Sequence, residues 1–215
     1  DVSEDLSTGQ VYAVGALDLG SPDQMHGLRF PRIPVNPGQT ILGAYLVLTA
    51  DVACNADPEY DRVLDPGDFV ELVVDAALDS RPFGDGNRGM YEDGQSYRSV
   101  EAPYIIGPYD VSRRPGSASR VQIDVRPWSA AGQFIVNDMQ DIIQEVIDQP
   151  DWELGNGIVL RVRHRNAASS SYVRDLVASQ ALDENPSRSA ATAPTLVLVL
   201  EGTNTPPDSP TSLPT

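Results

Sequence analysis

The sequence predicts an all-β chain folded as a jelly-roll-like β-sandwich that carries one amphipathic helix. Three observations lead there. Residues 41–51 (ILGAYLVLTAD) alternate, placing Leu42, Ala44, Leu46 and Leu48 on one face and Ile41, Tyr45 and Val47 on the other. Residues 138–149 instead repeat at three and four, with Met139, Ile142, Ile143, Val146 and Ile147 forming one apolar stripe that ends at Pro150. Gly- and Pro-rich turns separate the remaining apolar runs, all of them short.

The elements follow in order. Residues 11–17 (VYAVGAL), bounded by Gly9 and by Gly20, Ser21 and Pro22, read as a first strand, and residues 27–30 as a second. Pro34, Pro37 and Gly38 then turn the chain into the strand at 41–51, which is expected to be central because both of its faces are apolar. An acidic loop spans 53–67, and 69–76 (FVELVVDA) returns as a strand. Residues 78–119 are dense in Gly, Pro, Asp, Ser and Tyr and hold at most a short strand at 104–106; an insertion of this length usually carries function or an interface. Residues 120–125 alternate with Val121, Ile123 and Val125 inward. The helix is expected to be capped by Asn137 or Asp138. Beyond it, Trp152 and a Gly155-Asn156-Gly157 turn launch a strand at 158–165, and 195–201 (TLVLVLE) closes the fold. The expected organisation is an N-terminal extension at 1–10, a single domain at 11–201 with the insertion at 78–119, and a Pro/Ser/Thr-rich tail at 202–215.

Composition narrows the function. The chain has 15 basic residues, all Arg, against 31 acidic ones, a net charge of -16 that repels nucleic acid and anionic membranes. No apolar run is long enough to span a bilayer, so membrane insertion is not expected. A first residue of Asp1 is what removal of a secretory signal would leave, and we expect an extracellular or cell-surface protein. The single cysteine, Cys54, forms no internal disulfide; it is either a packed thiol or an intermolecular bridge.

Candidate chemistry is sparse, and no catalytic activity is expected. The carboxylates Asp57, Glu59, Asp61, Asp65, Asp68, Glu92, Asp93 and Asp124 include no pair set apart by a motif. The two histidines, His26 and His164, come without a Gly-x-Ser-x-Gly elbow. No cofactor is expected other than calcium, for which Asp85, Asn87, Glu92 and Asp93 supply hard oxygen ligands; the competing reading is a solvated acidic loop. Tyr91, Tyr97, Tyr104, Tyr109 and Trp128 suit sugar stacking, a protein interface or packing of the insertion equally well. Arg161, Arg163 and Arg165 share one face of their strand, either paired across the sheet with Glu71 and Asp75 or facing an acidic partner such as a second copy.

Residues 28–51 (LRFPRIPVNPGQTILGAYLVLTAD) resemble the "glRF.gi.iP.GatI..AyL.l.a" segment of secreted bacterial modules of the DNRLRE type, grouped with jelly-roll carbohydrate-binding modules. Residues 138–162 are similar to the "dlt.iIqEvv.rpgW.sGnalvl.i" segment of the same modules, and Ala193-Pro194-Thr195-Leu196 to their "aP.L.v.y" ending. The resemblance covers 9–51 and 140–200; it implies a sandwich and export but no catalysis. The function expected is a non-catalytic subunit of a surface layer, sheath or filament, a homo-oligomer or polymer joined through its terminal segments, with Pro206, Pro207 and Pro210 and the arginine row at the interface. The alternative is a carbohydrate-binding module with a polysaccharide partner.

Overall fold

The computed structural model describes residues 1–7, 10–13, 16–18, 23–49, 70–79, 111–125, 133–165, 175–177 and 193–202. Its elements are β1 (Val2–Asp5), β2 (Gln10–Ala13), β3 (Ala16–Asp18), β4 (Gln24–Phe30), β5 (Ile41–Thr49), β6 (Val70–Ala77), β7 (Val121–Val125), β8 (Gln133–Val136), α1 (Gln140–Ile147), β9 (Ile158–His164), β10 (Asp175–Val177) and β11 (Thr195–Leu200). They form a six-stranded sheet in the order β2-β1-β4-β9-β6-β7, a three-stranded sheet β11-β5-β8 and a two-stranded pair β10-β3. All pairings are antiparallel. The chain crosses repeatedly between the two larger sheets, and the fold is an all-β, jelly-roll-like sandwich with one helix.

Period two decides what lies between the sheets. Leu28, Leu72, Val74, Leu160 and Val162 of the large sheet meet Ala44, Leu46, Leu48 and Val136 of the small one in one buried cluster. α1 packs on β5 and β6, and Ile142, Ile143, Val146 and Ile147 are all buried, as the three- and four-residue spacing predicts. β5 is the middle strand of its sheet, the place its two apolar faces required.

Two polar side chains of α1 tie it to the rest. Gln144 Oε1 accepts from the Ile41 amide at 2.8 Å, and its Nε2 donates to the Gln39 carbonyl at 3.3 Å. Glu145 accepts from the amides of Ala118 and Ser119 at 2.6 and 3.0 Å. Beyond the helix, buried Trp152 donates its indole N–H to the Val35 carbonyl at 3.0 Å. Gly155, at φ +92°, bends the next turn so that Ile33 donates to the Asn156 carbonyl and accepts from the Gly155 amide.

The structure departs from the sequence expectations in several places. Within the N-terminal extension expected at 1–10, Val2–Asp5 forms β1 and Gln10 begins β2. β1 lies inside the large sheet between β2 and β4, with Val2, Ser3 and Glu4 buried. The strand expected at 11–17 is two strands, β2 and β3, in different sheets. Neither Asn137 nor Asp138 caps α1: Met139 takes the cap position, Asp138 sits at φ 60°, and no side chain makes the cap bond. Met139 is fully buried and its amide donates to Ala44 at 3.1 Å, so tertiary burial, worth about 1.5–3 kcal/mol for such a side chain, outweighs a cap worth about 1 kcal/mol. Leu42 does not share the core face. The register shifts where β11 meets the start of β5, which turns Ile41 inward and leaves Leu42 61% exposed.

Ile143 lies at the centre of the buried stripe, and Ile143→Asp should lower unfolding free energy by about 3 kcal/mol or more by confining an unpaired charge there. Ile135→Asp, on the outer face of β8, should change it far less, and denaturant midpoints of the two variants test the assignment.

Candidate functional site

The outer face of the large sheet carries the arginine row of β9 and the acidic residues Glu71 and Asp75 of β6. Register places Arg161 opposite Asp75 on β6, with Arg163 between Met25 on β4 and Val73 on β6. The row therefore divides by depth and partner. Arg161 is buried: its Nε donates to Asp75 Oδ1 at 2.5 Å and its Nη1 to the Arg114 carbonyl at 2.9 Å. Arg165 is exposed and pairs with Glu71 at 3.3 Å. Arg163 is half-buried and has no ion partner among the described residues.

The end of the 78–119 segment holds this arrangement. Val111 packs with Val2 and Met25 on the same face, and the Ser112 amide and hydroxyl both donate to the buried Glu4 carboxylate at 2.6 Å. Residues 115–117 then run beside β6: Leu78 donates to the Pro115 carbonyl, Ser117 donates to the Ala76 carbonyl, and Ala76 donates to the Ser117 hydroxyl. Gly116 lies against the Arg161 guanidinium so closely that a Cβ there would collide with Nη2. A close approach of this kind requires glycine.

Burial raises the pKa of the Glu145 carboxyl, but hydrogen bonds from the Ser119 and Ala118 amides and the Ser119 hydroxyl outweigh it and hold the group below the ordinary glutamate value. A lowered folded-state pKa stabilises the fold above the unfolded value, about 4.3, and the contribution is lost as pH falls through the folded value.

Two further features depend on contacts that the sequence reading did not give. Ser3 Oγ and His26 Nδ1 share a hydrogen bond of 2.7 Å across β1 and β4, both residues 1% exposed. At that depth the pair satisfies buried polar groups, and Ser3 is shielded from any substrate in this arrangement. The other feature is the small sheet. Its outer face carries Tyr45, Val47, Ile135, Val197 and Val199, with Ile135 47% and Val199 49% exposed, and no charged residue of β5, β8 or β11 lies on it. An open groove beside it is formed by residues 36–40 with Glu201 and Gly202, where the Glu201 amide donates to the Thr40 carbonyl at 3.0 Å. Alternation alone marks 195–201 as a strand, but which strand ends the sheet depends on topology.

Several expected site residues lie outside the described residues: the aromatic set Tyr91, Tyr97, Tyr104, Tyr109 and Trp128; the calcium set Asp85, Asn87, Glu92 and Asp93; and the tail prolines Pro206, Pro207 and Pro210. No helix among the described residues is long and apolar enough to cross a membrane. The described framework defines the class, a β-sandwich with one helix. No protein-family model and no curated protein matches the chain.

Asp75→Ala should strand the Arg161 charge and cost about 3 kcal/mol or more, whereas Asp75→Leu with Arg161→Met should recover much of that loss; thermal unfolding of both variants is the measurement. Glu145→Gln should flatten the loss of stability between about pH 4.3 and lower pH, read from denaturant midpoints across an acid series.

Proposed function

We propose that this protein is a non-catalytic, secreted structural module that assembles with neighbouring subunits into a surface layer, sheath or filament. The observation that carries this reading is the small sheet: a mostly apolar outer face without a charged residue of its three strands, on a chain of net charge -16, ending in strand β11, from which the Pro/Ser/Thr-rich tail continues directly. An exposed apolar face of this kind marks an interaction surface. A Pro-rich segment keeps little conformational entropy to lose on docking against a neighbour. The likeness of residues 28–51 and 138–162 to secreted sandwich modules supports the same reading, and with it an extracellular location.

Deleting residues 203–215 should leave a folded domain with a nearly normal melting curve and weaken or abolish polymer formation, as seen by sedimentation and electron microscopy beside the full chain. If both assemble equally, or if the full chain is a strict monomer, the assembly reading fails and polysaccharide binding by the aromatic residues of 91–128 becomes the leading account.

A further inference from the structure

Among the described residues the two larger sheets are unequal, six strands against three, and the smaller one ends at β11 on one side and β8 on the other. Leu196, Leu198 and Leu200 point into the core opposite β5, yet each remains half-buried, while the core-facing Leu46 and Leu48 of β5 are fully buried. Among the described residues no strand pairs with the outer flank of β11. The strand itself, TLVLVL, contains none of the devices that usually blunt an edge: no proline, no charge, and its single register shift only at the last residue. Such a strand offers a row of main-chain donors and acceptors beside partly exposed leucines.

We propose that β11 pairs antiparallel with β11 of a second copy of this chain, joining two three-stranded sheets into one and covering the exposed edges of Leu196, Leu198 and Leu200 in both. Charge selects the partner. Two copies of net charge -16 repel along most approaches, but β11 and the outer face beside it are uncharged, so the identical strand is an occupant that meets no like charge at the contact. An alternating six-residue strand is self-complementary when antiparallel, because each copy presents leucines on the core side and Thr195, Val197 and Val199 on the other. The contact is isologous and closes as a dimer, so a polymer would need a second, head-to-tail contact. In that respect the proposal rests on the assembly reading and supplies its repeating unit.

The test uses the full chain. Sedimentation over a concentration series should show a monomer–dimer equilibrium, and amide exchange in 195–200 should be protected on both flanks of the strand at high concentration but only at alternate residues when dilute. Val197→Lys sets two like charges near the twofold centre of the pair and should weaken dimerisation roughly tenfold or more. It should do so although it lowers the net negative charge, while the melting temperature of the dilute monomer stays close to wild type. Leu154→Lys, an exposed leucine in the turn before β9, should leave dimerisation unchanged. The proposal is overturned if Val197→Lys dimerises like wild type, if the chain stays monomeric with alternate β11 amides unprotected, or if protection on both flanks is independent of concentration, which would assign the edge to the chain's own tail. The tail deletion separates the two readings. Loss of polymers with β11 dimers retained upholds both; β11 dimers from a full chain that never polymerises sink the assembly reading alone; and polymers with an unprotected β11 edge sink the pairing alone.

Discussion

The fold depends on the docking of residues 138–163 against residues 28–49, two segments far apart in sequence. The apolar stripe of α1 supplies the burial, with Ile143 and Met139 wholly enclosed against β5 and β6. Directional contacts decide its position: Gln144 holds the start of β5, the Trp152 indole holds the Val35 carbonyl, and the Gly155–Asn156 turn holds Ile33. Burial alone would tolerate a helix slid by a turn. Buried main-chain groups left unpaired by such a slide would cost about 1–3 kcal/mol each, and so only one docking survives.

From that docking follows the state of the large sheet's outer face. Because β9 is launched by the turn at 155–157 and lies between β4 and β6, Arg161 arrives opposite Asp75 at a depth where neither charge could stand alone. The chain answers with a cover drawn from the end of its long insertion, where the Arg114 carbonyl accepts a guanidinium proton and Gly116 leaves room for the rest of the group. Glu145 on α1 reaches the same cover from the other side, binding the amides of Ala118 and Ser119. One carboxylate thus couples the helix to the lid over the arginine, and the acidic composition has a structural use beyond solubility.

The opposite side of the molecule is organised differently. The small sheet carries no charged residue on its three strands; its outer face is mostly apolar and its last strand ends at the point where the tail begins. A sandwich with one charged face and, among the described residues, one mostly apolar face ending in an unpaired strand edge has the asymmetry expected of a building block. That is the physical basis of the assembly proposal, and it does not draw on any catalytic group.

Much of this was legible in the residues themselves. Alternation located β5, β6, β7, β9 and β11, and the three- and four-residue spacing located α1 and its buried residues, because periodicity records which side of an element faces away from water. The pairing of Arg161 with Asp75 and of Arg165 with Glu71 was one of two open readings of the arginine row, and strand register chose it for those two residues. β1, β8 and β10 escaped notice since three or four residues are too few to show a period, and VSED at β1 is mostly polar; it is a strand because its neighbours β2 and β4 complete its hydrogen bonds. Met139 replaced the expected caps for the same reason, a nonlocal contact with Ala44 outweighing a local preference. By itself the sequence determined which residues avoid water and with what spacing; only the tertiary structure decided which strand lies at an edge and which charge is enclosed, since both depend on partners brought together from distant parts of the chain.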